Sequence, residues 1–382
     1  MEQFADLNVP ERTLLGPGPS GVDPRVLRAM SAPVIGHLDP VFFRVMNETM
    51  ELLRGVFETR NELTLPISGT GSAGMEAAVV NLLEPGDRAV IGVHGLFGAR
   101  LADAAERSGA RVVKVEAPWG SPLDPQALEA ALAGGAKLLA VVHAETSTGV
   151  LQPLEPVAAL ARRHGALLLV DAVTSLGGLP VKVDALGIDA CFAGTQKCLS
   201  APPGLAPFTA GARALAALDA RKAKVASWYL DLTMVRSYWG TERFYHHTAP
   251  VTMIYGLREA LRLIAEEGLE ARYLRHVETW QALVRGLEAL GLELLVEREH
   301  RLPTLTAVRV PPGVDEAAVR RRLLEQYNIE IGGGLGPLKG KIWRIGLMGH
   351  SCRRRHVENL LVALAACLGR KADAALETAR GA

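Results

Sequence analysis

No stretch of about 18 or more apolar residues occurs in the chain, which excludes a membrane-spanning helix. Cysteine is scarce. The four present, Cys191, Cys198, Cys352 and Cys367, form no Cys-x-x-Cys pair. That argues against a disulfide framework and for the reduced thiols of a cytoplasmic protein. Charge of one sign is missing too: 42 Lys and Arg against 41 Asp and Glu leave a net charge of +1. Nucleic acid is therefore excluded as the main partner, because phosphate binding needs a strong basic footprint. Met1-Glu2-Gln3-Phe4-Ala5-Asp6 lacks the basic-then-apolar pattern of a signal peptide, and Arg380-Gly381-Ala382 is no peroxisomal or reticulum-retention address. No internal repeat is visible.

What is present suits a soluble chain with one large domain and one smaller domain. Residues 1–20 read as an irregular arm, because Gly16-Pro17-Gly18-Pro19-Ser20 excludes regular structure. From about 60 to 210, short apolar runs alternate with helical stretches. The runs begin at Leu63, Ala89, Arg111, Leu138, Ala166, Ile188 and Leu205, and Pro66 marks the first as an edge. This order predicts an α/β fold with a mostly parallel sheet buried on both faces by helices. Leu274, Val277, Trp280, Leu283, Val284, Leu287 and Leu290 recur at helical spacing, which predicts a long helix from about 271 to 290. A smaller α+β domain is expected over 271–370, after a large domain over 21–270. The tail, 371–382, shows no apolar stripe and is expected to fray.

Lys197 stands between the apolar run Ile188 to Ala193 and the rigid turn Pro202-Pro203-Gly204. Asp171 ends the run Ala166-Leu167-Leu168-Leu169-Val170. A carboxylate ending one strand and a lysine just past the next suit pyridoxal phosphate: the acid holds the pyridine nitrogen protonated and the amine forms a Schiff base with the aldehyde. A salt bridge to a structural arginine is the alternative for Asp171.

Ser68-Gly69-Thr70-Gly71-Ser72-Ala73-Gly74 follows a strand and opens a helix, a geometry that binds phosphate, with Thr70 and Ser72 adding hydroxyls. The same glycines match a dinucleotide fingerprint. That pattern wants an acid at the far end of the next strand, whereas Asp87 precedes that strand and Gly92-Val93-His94 ends it. Phe97, just past that strand, can stack on a flat ring or plug the core. Thr146, in His143-Ala144-Glu145-Thr146-Ser147, is a candidate donor to the ring oxygen. Arg344, inside Trp343-Arg344-Ile345-Gly346, can clamp a carboxylate with two parallel hydrogen bonds, though an internal salt bridge fits the local sequence equally well. Tyr245-His246-His247-Thr248 invites a metal, but adjacent histidines on an extended segment point to opposite sides, so none is expected. Cys198 reads as a small residue beside a crowded site.

Together these stretches resemble the class V, fold-type I pyridoxal-phosphate aminotransferases, most closely the alanine–glyoxylate (serine–pyruvate) aminotransferase family. The resemblance runs from Leu15-Gly16-Pro17-Gly18-Pro19-Ser20 to Arg344-Ile345-Gly346-Leu347-Met348-Gly349. It implies that Lys197 carries the cofactor and that Asp171 pairs with the pyridine nitrogen. Val173 and Phe97 would cover the two ring faces, and Thr146 would meet the ring oxygen. Gly71, Ser72 and Gln196 would hold the phosphate, and Tyr245 and Thr248 would reach the phosphate of a neighbouring subunit in a homodimer. Arg344 and the arm around Gly18 would bind a small substrate. The implied reaction moves an amino group from L-alanine or L-serine to glyoxylate or pyruvate by a ping-pong mechanism. Phe97 stands where relatives commonly have tryptophan, Ser72 where they often have histidine, and Thr146 where they often have serine. Phosphoserine-type aminotransferases, cysteine desulfurases and, from another class, nicotinamide-dependent dehydrogenases are the competing readings.

Overall fold

The computed structural model describes residue 4 and residues 6–381. Its central sheet has seven strands: β1 (Leu63–Ser68), β2 (Arg88–Val93), β3 (Arg111–Glu116), β4 (Leu138–Val142), β5 (Leu167–Asp171), β6 (Ala190–Phe192) and β7 (Leu205–Ala210). Their spatial order is β1-β7-β6-β5-β4-β2-β3. The run from β6 to β3 is parallel, and β7 is antiparallel to both β1 and β6. Every residue of β4 and β5 is buried, as continuous aliphatic runs require when helices cover both faces. Pro66 lies on the edge strand β1, where its missing N–H disturbs one ladder only.

Parallel strands present their carboxyl ends along one edge, and ligands of open α/β sheets bind there. That edge brings together His94 to Phe97 after β2, His143 to Thr148 after β4, Asp171 at the end of β5, and Gly194 to Lys197 after β6.

A second apolar core gathers Leu283, Leu287, Leu323, Trp343, Leu360 and Leu364. It surrounds a small antiparallel sheet of β8 (Leu305–Arg309), β9 (Gly332–Gly333) and β10 (Ile342–Gly346), in the order β8-β10-β9.

Three expectations need correction. The arm is not wholly irregular: Thr13–Leu14 pairs in parallel with Ile329–Glu330, and Leu15 is buried in the second core. The tail forms a helix over Asp373–Arg380, seated through Ala375 and Ala379, residues too small to make a visible stripe. The long helix spans Leu269–Ala289, but Leu274 is 57% exposed, while Arg272, His276 and Thr279 are buried in its first turns.

Candidate active site

Lys197 lies in the turn after β6. The Thr195 hydroxyl donates to Pro202 O at 2.7 Å, and Ala201 N–H donates to Thr195 O at 3.0 Å. Two distant side chains pin the same turn: Ser20 Oγ donates to Lys197 O at 2.7 Å, and Arg272 Nη2 to Cys198 O at 2.6 Å. Lys197 Nζ donates to the carbonyl of Pro17. Gly18 covers the lysine with φ +108, and a Cβ there would sit 2.6 Å from Nζ. No other residue fits that backbone and that gap. Burial lowers the Lys197 pKa to about 8, helped by the charge of Arg344 and opposed by Cys198 and Asp171.

Asp171 is 4% exposed, and its Oδ1 accepts Val173 N–H at 2.9 Å. Among the described residues no basic side chain forms a salt bridge with it, so the structural-arginine alternative has no candidate. Burial raises its pKa to about 7; Glu145 adds to the rise, while Val173 N–H and Lys197 oppose it. The sign of the pH dependence follows. Below about pH 4 the carboxyl is protonated in both folded and unfolded chains. As pH rises through 7, the cofactor-free folded protein must carry a buried, unpaired charge, and stability falls. Moving a carboxyl from 3.8 to about 7 corresponds to at most about 4 kcal/mol. Asp171→Asn keeps the Val173 bond and removes the charge. Cofactor-free D171N is expected to be about 2–4 kcal/mol more stable than the wild type at pH 8, with the gap closing toward pH 4. Denaturant melts at the two pH values check this.

The glycine turn places Thr70 at the N-cap and Gly71 at the first position of helix Gly71–Leu82, and the Thr70 side chain makes no capping bond. Thr70 and Ser72 are exposed, while Gly71 is buried. A Cβ on Gly71 would meet Val173 Cγ2 at 3.2 Å and Gly194 Cα at 3.6 Å; one on Gly194 would meet Gln196 Oε1 at 2.9 Å. Gly71, Val173, Gly194 and Gln196 therefore converge. Gln196 Oε1 is buried without a hydrogen-bond partner.

Arg344 is 6% exposed; its Nε donates to Gly333 O at 2.7 Å and its Nη1 to Thr146 O at 3.1 Å. Burial lowers its pKa to about 10, and Glu145 opposes that. Both acceptors are backbone carbonyls, and among the described residues it makes no salt bridge. The internal-salt-bridge alternative thus has no partner among the described residues. Phe97 is half-buried at the start of helix Leu96–Arg107.

Tyr245 and Thr248 are exposed, and Tyr245 packs on His37 with ring centroids 5.3 Å apart. Among the described residues neither is hydrogen-bonded to Lys197, whose amine donates to Pro17 O. Their segment lies beside the glycine turn, where His247 Nε2 is 2.7 Å from Ser68 Oγ. His246 and His247 do not point apart as expected. Their Nδ1 atoms are 2.8 Å apart, because the segment is bent rather than extended. Cys198 Sγ donates to Thr174 O at 3.3 Å, and burial pushes its pKa up to about 12, which makes it an inert thiol. Cys352 is fully buried, unlike a mobile-loop nucleophile. Asp87 accepts from Lys137 Nζ at 2.7 Å and from Glu84 N–H, so it is a structural acid.

Sequence reasoning missed three groups. Arg272 braces the lysine turn. His143 Nδ1 lies 2.9 Å from Ser175 Oγ, and burial lowers its pKa to about 4, which keeps it neutral beside Asp171. Glu145 is fully buried.

The donor set fits pyridoxal phosphate: a buried amine, an unpaired buried carboxylate, an orphaned amide oxygen and a helix start rich in free N–H groups lie along one edge. Comparisons agree. Residues 22–348 match the family described as Aminotransferase class-V. The (S)-ureidoglycine–glyoxylate transaminase of Bacillus subtilis (strain 168) is 44% identical, over 95% of this chain and 92% of that protein. The alanine–glyoxylate aminotransferase of Rattus norvegicus is 45% identical, over 94% and 88%. A crystal structure of alanine–glyoxylate aminotransferase from Nostoc sp. superposes with a TM-score of 0.94 at 53% identity, covering 96% of this chain and 97% of that one.

Proposed function

The chain belongs to the class-V aminotransferases, and from that premise we propose that it moves the amino group of L-alanine or L-serine to glyoxylate or pyruvate. It is a transaminase, and its cofactor is pyridoxal phosphate. The observation that carries the reading is one buried constellation: the Lys197 amine, the unpaired Asp171 carboxylate and the Arg344 guanidinium share an electrostatic neighbourhood. When bound, the cofactor supplies an electron-poor ring that accepts the electron pair left behind by the departing α-proton.

The chain's own residues do the rest. Asp171 would pair with the ring nitrogen and keep it protonated, which would turn a costly lone charge into a hydrogen-bonded ion pair. Lys197 holds the cofactor. Once free, its amine would take the proton from the substrate α-carbon as general base. Burial, helped by the charge of Arg344, lowers the pKa of that amine and so favours its neutral, proton-accepting form. Arg344 orients the substrate carboxylate, and Pro17 with Gly18 close the pocket to small side chains. Gly71, Ser72, Thr70 and Gln196 would hold the phosphate; Val173 and Phe97 would bracket the ring, with Thr146 at its oxygen.

We also place Tyr245 and Thr248 at the phosphate of a second subunit, making a homodimer with shared sites. Large apolar side chains around them support this: Trp228 is 61% exposed, Phe244 72% and Tyr245 55%. Residues 1–20, 21–270, 271–370 and 371–382 are taken as arm, cofactor domain, small domain and tail. Among the described residues no helix is long and apolar enough to cross a membrane, and a cytoplasmic location is part of this reading.

Purified protein is expected to be yellow, with a visible band that shifts on adding L-alanine or L-serine. The deciding measurement is kcat/KM for L-alanine, L-serine and ureidoglycine against glyoxylate, pyruvate and 2-oxoglutarate. Glyoxylate should exceed 2-oxoglutarate by at least about tenfold, since pocket shape discriminates at that scale. A preference for 2-oxoglutarate would reject the small-acceptor reading, and a colourless protein that binds nicotinamide would reject the mechanism.

A further inference from the structure

Helix Leu96–Arg107 carries Phe97 at its second position, and its N-cap residue is Gly95, which has no side chain to cap it. The first N–H groups of such a helix need acceptors from elsewhere. They find them about 50 residues away. Leu96 N–H donates to Ser147 Oγ at 2.9 Å, Phe97 N–H to Glu145 Oε2 at 3.1 Å, and Gly98 N–H to the same oxygen at 3.3 Å. The other carboxylate oxygen, Oε1, accepts Ser147 N–H at 3.0 Å and Ser147 Oγ–H at 2.6 Å. Gly95 leaves the necessary room: a Cβ there would lie 2.4 Å from Glu145 Cγ and 2.5 Å from Ser147 Oγ.

We propose that Glu145 is a positioning residue for the cofactor: its carboxylate fixes the backbone of Phe97 and so sets the distance and tilt of the ring-facing aromatic. The inference rests on Phe97 being that aromatic. An aspartate or glutamate near a helix start is ordinary. Here the acid is fully buried; burial raises its pKa, and the four donors on its two oxygens oppose that by favouring the carboxylate. Any neutral replacement of equal size turns an acceptor toward the chain into a donor facing donors. Its charge also reaches the site, raising the pKa of both Asp171 and Arg344. Phe97 also carries the Arg100 guanidinium 5.2 Å from its ring centroid, a second contact on the same aromatic.

A double-mutant cycle on cofactor affinity tests the route, because two residues acting through one contact do not add. Pyridoxal phosphate dissociation is measured by fluorescence quenching, with the visible circular dichroism of the bound cofactor as a second readout. E145Q and F97A are each expected to weaken binding about tenfold and shrink the dichroic band, a loss on the scale of one aromatic contact. The double variant should lie within about threefold of the weaker single. A double variant weakened about a hundredfold would show independent action and overturn the proposal. If F97A alone binds normally, the assignment of Phe97 falls and the proposal with it. Normal affinity in E145Q with a weakened F97A overturns the Glu145 role alone. Should E145Q fail to fold, S147A keeps the carboxylate and removes the acceptor for Leu96 N–H. It is expected to cost about threefold, a loss that must vanish in the F97A background or the proposal fails.

Discussion

The variant Lys197→Ala is expected to lose multiple-turnover transamination by about 10⁴-fold, the upper range for removing a positioned proton-transfer group. Two functions should disappear together, because in the proposed reaction the same amine holds the cofactor and moves the α-proton. The fold should survive. The turn around residue 197 is pinned through backbone atoms by Ser20, Thr195 and Arg272, none of which touches the lysine amine. Cofactor should still bind without a covalent link, held by the glycine turn and Asp171. Steady-state turnover with L-alanine and glyoxylate measures the loss. Activity within tenfold of the wild type would reject the role of Lys197.

Asp171→Asn is expected to lower kcat by about 10³-fold, since a neutral amide does not hold the ring nitrogen protonated and the ring then accepts an electron pair poorly. The same change should raise the stability of the cofactor-free protein at pH 8. Opposite signs in one variant are diagnostic. A carboxylate that merely braced the fold would lose stability and activity together, whereas one kept for a ligand's charge loses only activity. Rate and melting, measured on one preparation, separate the two. Loss of both would remove Asp171 from the site and leave it a structural acid.

The sheet was legible because its strands are aliphatic runs that no surface element needs, and Pro66 even marked the edge. Lys197 and Asp171 stood out because each follows such a run. The long helix shows where the pattern misleads. Its sequence offers Leu274 as the start of an apolar stripe, yet the buried face there is Arg272, His276 and Thr279. Two of those polar residues face backbone groups: Arg272 donates to Gly177 O and Cys198 O, and His276 Nε2 accepts Gly349 N–H at 3.0 Å. Hydrophobic periodicity cannot find a face whose partner is peptide backbone. Glu145 escaped for a related reason, since a helix capped by residues about 50 positions away leaves no local capping signature. The C-terminal helix escaped because alanines alone seat it.

The short pairing of Thr13–Leu14 with Ile329–Glu330 makes the arm a strap between two cores. At one end Leu15 N–H donates to Glu330 O at 2.9 Å, Gly346 N–H donates to Leu15 O at 2.8 Å, and Leu15 is seated in the second core. At the other end Ser20 N–H donates to Gln196 O at 2.8 Å and Ser20 Oγ to Lys197 O at 2.7 Å. A shift of the small sheet against the large one would therefore pull on the cover over Lys197, and a ligand that bridges the two would tighten it.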